Sequence, residues 1–129
     1  MSEFAPETPL ILVVEDDAVV RMVASDILAM EGYRVEEAED AETALRILEG
    51  RPDIELLFTD INMPGDKDGL ALAREVHERW PQILLILTSG RAYLEKAEIP
   101  DDGRFVPKPY NASKLISSVR DVISSHTVQ

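Results

Sequence analysis

Two kinds of hydrophobic pattern alternate along the chain. Short, uninterrupted apolar runs rich in β-branched residues are typical of strands buried on both faces of a sheet, whereas apolar residues that recur every three or four positions are typical of amphipathic helices. The first kind predicts strands at Leu10–Val14, Tyr33–Glu37, Ile54–Thr59, Ile83–Leu87 and Arg104–Val106. Because the second run is half polar, we expect it near an edge of the sheet.

Helical patterns follow the predicted strands. Asp40 and Asn111 are suitable N-caps, Gly32 is a suitable stop, and Arg91–Glu98 is predicted to form a short helix. The stripes expected to face the core are Val20, Val23, Ala24, Ile27 and Leu28; Ala41, Ala44, Leu45 and Leu48; Leu70, Ala73, Val76 and Trp80; and Leu115, Ile116, Val119, Val122 and Ile123. Strand and helix alternate five times, which predicts an α/β fold with a parallel sheet covered by helices on both faces.

The composition narrows the range of partners. A length of 129 residues suits one domain, and 25 acidic against 13 basic side chains give a net charge of −12. This excess of negative charge disfavours binding to nucleic acid or to an anionic membrane, since both need clustered Lys and Arg. We therefore predict neither kind of partner.

Cysteine is missing from the sequence, which removes disulfides, thiolate nucleophiles and Cys-ligated metals. The apolar runs are far shorter than the ~20 residues that a membrane helix needs. Met1–Pro9 lacks the apolar segment of a signal peptide. We therefore expect a cytoplasmic protein.

Polar side chains stand at the carboxyl ends of four predicted strands. They are Glu15, Asp16 and Asp17 after the first, Asp60 after the third, Thr88 and Ser89 after the fourth, and Lys108 after the fifth. In a parallel α/β sheet these ends share one edge, where ligands bind at a topological switch point. Crowded carboxylates repel one another unless a cation is present, and an all-oxygen set without His or Cys suits Mg²⁺.

The same side chains suit phosphoryl transfer. An Asp carboxylate such as Asp60 can attack phosphorus and form an acyl phosphate. The reaction needs mainly positioning and neutralisation of charge, which Mg²⁺ and Lys108 could supply. Thr88 could donate a hydrogen bond to a phosphoryl oxygen.

Four segments that carry these residues resemble the receiver domain of two-component response regulators. They are Leu10–Asp17, Phe58–Gly65, Leu87–Gly90 and Phe105–Tyr110, in the family's order. The resemblance implies a flavodoxin-like (βα)5 fold, a doubly wound sheet with strand order 2-1-3-4-5. It also implies a receiver domain at residues 9–125, with flexible ends at 1–8 and 126–129.

The resemblance assigns a role to each matching residue. Asp60 corresponds to the phosphoacceptor. The residues that would hold Mg²⁺ are Glu15, Asp16, Asp60 and Asn62, the last through its backbone carbonyl. The residues that would contact the phosphoryl group or relay the change are Thr88, Lys108 and the aromatic switch residue Phe105, supported by Ser89 and Pro109. The Lys108–Pro109 bond is expected to be cis.

The function implied by the resemblance is that of a response regulator. The chain would take a phosphoryl group from a sensor histidine kinase or phosphotransfer protein, and would change conformation for an unknown downstream protein. It would act as a phosphoacceptor rather than an enzyme, as a monomer or weak homodimer. Because no output domain follows the last predicted helix, we expect a single-domain regulator.

Two departures from the family pattern affect expectations about the loops. The Gly65–Gly69 loop is slightly longer than usual, with Lys67 in place of the customary Met. The segment between Thr88 and Phe105 is slightly shorter than usual. The short helix predicted at Arg91–Glu98, which is the fourth along the chain, should therefore be atypical.

Other functions remain open at the level of sequence. A phosphorylation-independent interaction module or phosphate sink could use the same fold. A hydrolase of the haloacid-dehalogenase type is disfavoured, because it would need an acid where Asn62 stands. A flavin or dinucleotide binder would need a Gly-rich segment after the first strand, which this chain lacks. Taken alone, Glu15–Asp17 could be charges at a helix N-terminus and Asp60 a turn residue.

Overall fold

Strands and helices alternate through the part of the chain that the computed structural model describes, residues 8–90 and 103–127. The strands are β1 (Leu10–Val14), β2 (Arg34–Ala38), β3 (Ile54–Asp60), β4 (Leu84–Ser89) and β5 (Arg104–Pro107). The helices are α1 (Ala18–Met30), α2 (Ala41–Gly50), α3 (Gly69–Arg79) and α4 (Ala112–Thr127). The short helix predicted at Arg91–Glu98 lies outside the described residues.

The five strands form one parallel sheet in the order β2-β1-β3-β4-β5. This confirms the predicted α/β fold, the strand order implied by the resemblance and the edge position of β2. The chain passes from β1 to one side for β2 and to the other side for β3, so the topological switch point lies between β1 and β3. Glu15 follows β1 and Asp60 ends β3, which places both residues at that point.

Hydrophobic cores cover both faces of the sheet. Successive residues of β1 face opposite sides, as the two-residue period of a strand requires. Leu10, Leu12 and Val14 belong to the core under α2 and α3. Ile11 and Val13 belong to the core under α1 and α4. Because both faces are covered, the strands need apolar residues at successive positions, which explains their uninterrupted runs.

Side chains of Asp and Asn fix the starts of the helices. Asp17 Oδ1 accepts hydrogen bonds from two backbone N–H groups of the first turn of α1, at 2.9 and 3.1 Å. Asp40 and Asp68 cap α2 and α3 in the same way, and Asn111 Oδ1 accepts a backbone hydrogen bond of 2.8 Å from the first turn of α4. Asp17 is therefore a helix cap, as the alternative reading of the acidic run allowed.

The buried face of α1 differs from the predicted stripe. The prediction that Val23 faces the core is wrong, because its side chain is 47% exposed, whereas Ser25 is buried. Apolar residues occupy several sides of α1, so their period does not single out the buried side. Among the described residues, no helix has both the length and the hydropathy needed to cross a bilayer.

Candidate functional site

Three carboxylates meet at the carboxyl ends of β1 and β3. One oxygen from each of Glu15, Asp16 and Asp60 lies within 4.8 Å of the other two. Glu15 is 5% exposed and Asp60 is 4% exposed, whereas Asp16 faces solvent. Two carboxylates buried side by side repel each other and lose hydration. The cluster therefore favours a positively charged partner.

Lys108 brings an ammonium group into this cluster. Its Nζ donates to Glu15 Oε1 at 2.9 Å and to Asp60 Oδ2 at 3.3 Å. Its backbone N–H donates to the Ser89 carbonyl at 3.0 Å, which holds the end of β5 beside β4. The Lys108–Pro109 peptide bond is cis, as the resemblance implied.

The site carries more negative than positive charge. Burial raises the pKa of Glu15, and the Asp60 charge acts in the same direction, although the hydrogen bond from Lys108 opposes them. Burial alone would lower the pKa of Lys108, but its hydrogen bonds to Glu15 and Asp60 and their charges outweigh burial and raise that pKa. Lys108 is therefore an ammonium at neutral pH, and this one cation faces three carboxylates.

The donor set fits Mg²⁺. This ion takes oxygen ligands at about 2.1 Å in an octahedron, so its ligands lie at most ~4.2 Å apart. The carboxylate oxygens lie within 4.8 Å of one another, so small movements would bring all three onto one ion. Asn62, the fourth expected ligand, donates its backbone N–H to Asp60 Oδ1 at 3.2 Å. Its loop therefore borders the same site.

Two hydroxyl residues end β4 beside Asp60. Thr88 pairs with Asp60 in the register of β3 and β4, and its buried hydroxyl has no hydrogen-bond partner among the described residues. An unpaired buried hydroxyl costs roughly 1–3 kcal/mol, so Thr88 would gain from an acceptor placed next to Asp60. Ser89 Oγ donates to Asn62 Oδ1, which joins the loop after β3 to the end of β4.

Phe105 lies on the strand beyond Thr88. The register of β4 and β5 pairs Phe105 with Leu87 and pairs Val106 with Thr88. The Phe105 side chain is half-buried and packs against the core under α2 and α3. It is therefore offset by one residue from Thr88, and its switch role stays a prediction.

Three residues around the site were not singled out by the sequence patterns. Arg21 Nη1 donates to the backbone carbonyl of Glu15 at 2.7 Å. A Cβ atom on Gly69 would lie 1.8 Å from the Asp60 carbonyl oxygen. Tyr110 packs against the core under α1 and α4. The available signal for Arg21 was a basic side chain near the start of a helix, where the macrodipole favours acids.

Comparison with known proteins gives consistent matches. The family model for the response regulator receiver domain matches residues 11–120. The aerobic respiration control protein ArcA of Escherichia coli (strain K12) is 40% identical over 121 residues, covering 92% of this chain and 50% of ArcA. The sensor kinase CckA of Brucella abortus (strain 2308) is 34% identical over 119 residues, covering 88% of this chain and 12% of CckA. The crystal structure of the receiver domain of NtrX from Brucella abortus is 32% identical with a TM-score of 0.82, covering 89% of this chain and 98% of that one.

The matched segment contains every candidate residue from Glu15 to Pro109. The chain spans half the length of ArcA and a smaller part of CckA. Receiver domains are phosphoacceptor signalling domains that bind Mg²⁺ at an acidic site and interact with histidine kinases or phosphotransfer proteins. On these matches and on the fold, the chain belongs to the response regulator receiver domain family.

Proposed function

We propose that Asp60 accepts a phosphoryl group from the phosphohistidine of a sensor histidine kinase or phosphotransfer protein, in a step that requires Mg²⁺. The observation that carries this proposal is the position of Asp60 inside the acidic cluster, with Lys108 Nζ 3.3 Å from Asp60 Oδ2. An Asp60 oxygen would attack phosphorus while the bond from phosphorus to the donor nitrogen breaks. The product is an acyl phosphate on Asp60.

Neighbouring side chains would stabilise the transferred group. When bound, Mg²⁺ would neutralise negative charge on the phosphoryl oxygens. Lys108 is an ammonium held beside Asp60, so it can turn an N–H toward a phosphoryl oxygen. The Thr88 hydroxyl, unpaired among the described residues, would donate to another of these oxygens. Both contacts form only after transfer, so they favour the phosphorylated state.

Phosphorylation should depend on Mg²⁺ and should map to Asp60. We expect that acetyl phosphate with Mg²⁺ adds one phosphoryl group and that excess EDTA prevents the addition, because the ammonium of Lys108 alone cannot balance three carboxylates and the incoming phosphoryl charge. Intact mass measures the gain, and borohydride reduction followed by peptide mapping locates it. If several small phosphodonors leave the mass unchanged in the presence of Mg²⁺, the proposal is overturned.

The phosphoryl group would act as a signal by changing local contacts. It adds negative charge and acceptor oxygens next to Asp60. Lys108, which contacts Glu15 Oε1 at 2.9 Å, would shift toward the new charge. Lys108 directly follows β5, so this shift would reach Phe105 along the strand. A downstream protein should then bind the two states differently; equal binding would favour the phosphorylation-independent interaction module.

One face of α1 is suited to contact the phosphodonor protein. The exposed large hydrophobic residues of the described ranges all lie on α1, namely Val19 at 64%, Met22 at 52%, Val23 at 47% and Met30 at 87%. Steps of three, one and seven residues place them on one side of the helix. Beside them, an open groove of about 450 Å³ extends to Lys108. We propose that an apolar helix of the donor packs on this face and presents its phosphohistidine to the site.

Val23→Glu should slow transfer from a protein donor and leave transfer from acetyl phosphate unchanged. A charge forced into an apolar contact weakens docking, and we expect transfer at least ~10-fold slower, equivalent to 1.4 kcal/mol. The measurement is the loss of label from a phosphorylated histidine kinase that phosphorylates the wild type. Gln82→Glu is the matched control, since it makes the same charge change at an exposed position before β4, at the other end of the sheet. Equal slowing with both donors would contradict a docking role.

The cellular location and the state of assembly are also proposals. We propose that the protein acts in the cytoplasm, as a monomer or weak homodimer, without binding nucleic acid or membrane. The net charge of −12 supports the last point. The single-domain organisation stays a prediction, since the match covers 50% of ArcA.

A further inference from the structure

We propose that Arg21 is a positioning residue for the Mg²⁺ site, because it holds the peptide group that joins Glu15 to Asp16. This inference rests on the proposed function, since it concerns the same metal site. The Arg21 side chain is 18% exposed, so most of it is shielded from solvent. A guanidinium near the start of a helix gains nothing from the helix dipole, which indicates that another interaction holds it there.

The Glu15 carbonyl lies at a break in the secondary structure. β1 ends at Val14 and α1 begins at Ala18, so this carbonyl lies outside both elements. Arg21 Nη1 donates to it at 2.7 Å. The backbone N–H of Glu15 donates to the Ala38 carbonyl in β2 at 3.1 Å. Both backbone polar groups of Glu15 are therefore held by neighbouring elements.

Holding this carbonyl also orients two metal ligands. A peptide group is planar, so fixing the Glu15 carbonyl fixes the backbone from which the Asp16 side chain leaves. Glu15 and Asp16 supply two of the three carboxylates in the cluster. Without the Arg21 contact, the carbonyl would turn toward water and the two carboxylates would turn with it. Mg²⁺ is sensitive to such an error because it demands near-ideal octahedral geometry.

Glu37 holds the other end of the Arg21 guanidinium. Arg21 Nε donates to Glu37 Oε1 at 3.2 Å, and the Glu37 side chain is 44% exposed. An ion pair this exposed contributes little to stability. Its larger effect is on position, since it keeps the guanidinium from rotating away from the Glu15 carbonyl.

The test measures Mg²⁺ binding to the unphosphorylated protein by calorimetry. Arg21→Met keeps an unbranched side chain but removes both donors. We expect its Mg²⁺ Kd to rise about 10-fold or more, because the loss of groups that orient metal ligands costs 10–100-fold in affinity. At saturating Mg²⁺, the rate of phosphorylation by acetyl phosphate should approach that of the wild type, since Arg21 touches no reacting atom. Arg46→Met, which removes the same charge from an exposed position on α2, should leave the Kd unchanged.

Equal Mg²⁺ binding by Arg21→Met and the wild type overturns the proposed positioning role of Arg21. So does tighter Mg²⁺ binding by Arg21→Met, because removing a positive charge near the site strengthens its attraction for a cation unless the ligands are also displaced. A wild type that binds no Mg²⁺ overturns the proposed function as well.

A second variant covers the case in which Arg21→Met does not fold, as judged by thermal unfolding without Mg²⁺. Glu37→Gln leaves Arg21 in place but removes the ion pair that restrains it. We expect its Mg²⁺ Kd to rise about threefold, the equivalent of ~0.7 kcal/mol. Unchanged binding by a folded Glu37→Gln would overturn the inference in that case.

Discussion

Asp60→Asn is expected to abolish phosphorylation of the protein by every donor. The amide that replaces the carboxylate is not a nucleophile toward phosphorus, so no acyl phosphate forms. After incubation with acetyl phosphate and Mg²⁺, the intact mass of this variant should stay unchanged while the wild type gains one phosphoryl group. The variant also loses one of the three carboxylates, so its Mg²⁺ Kd should rise at least ~10-fold.

Asp66→Asn is the matched control for this prediction. It removes the same charge from an exposed position in the loop between β3 and α3, and we expect normal phosphorylation. Both variants should fold and should unfold cooperatively. In Asp60→Asn, loss of the charge relieves repulsion within the carboxylate cluster, so the substitution should not prevent folding. A phosphoryl gain by Asp60→Asn at the wild-type rate would refute the assignment of the phosphoacceptor.

Gly69→Ala should destabilise the protein by about 3 kcal/mol. The added Cβ would lie 1.8 Å from the carbonyl oxygen of Asp60, 2.6 Å from its carbonyl carbon and 2.8 Å from the Cα of Ile61. All three are backbone atoms at the end of β3, so they cannot rotate away, and the first turn of α3 must move. Overpacking a rigid site of this kind costs 1–3 kcal/mol and sometimes more. Thermal unfolding should show Tm lowered by roughly 10 °C.

Gly50→Ala shows what the same substitution does in open space. Gly50 is the last residue of α2, and no atom lies within 4 Å of the position that its Cβ would take. We expect this variant to be as stable as the wild type or more stable by up to ~1 kcal/mol, because alanine restricts the unfolded chain. If Gly69→Ala and Gly50→Ala have equal Tm values, the close approach of α3 to the end of β3 is not what requires glycine.

The fold was predictable because burial on both faces of the sheet leaves a clear pattern. β1 and the first four residues of β4 are apolar without interruption, and short runs of this kind that alternate with helical patterns are typical of strands covered on both faces. The buried face of α1 was not predictable, because Val23 and Val20 are equally apolar. Only the packing of α1 against the sheet distinguishes them.

The site was predictable as far as strand ends determine it. Glu15, Asp60 and Lys108 each follow or end a strand, and the parallel sheet brings those ends together. The contacts of Arg21 and Gly69 were not predictable, because they depend on distances between backbone atoms of different elements. The hydrophobic pattern of α1 does not indicate that the Arg21 side chain reaches the carbonyl of Glu15.

The ion pair between Glu15 and Lys108 joins residues 93 positions apart. Under the proposed function, a nascent chain would lack a working acceptor until its last strand has been synthesised and has joined the sheet. Incomplete or unfolded copies would then not draw phosphoryl groups away from intact ones. Loading with Mg²⁺ should also raise the unfolding temperature of the whole domain, because only the native state binds the ion at this site.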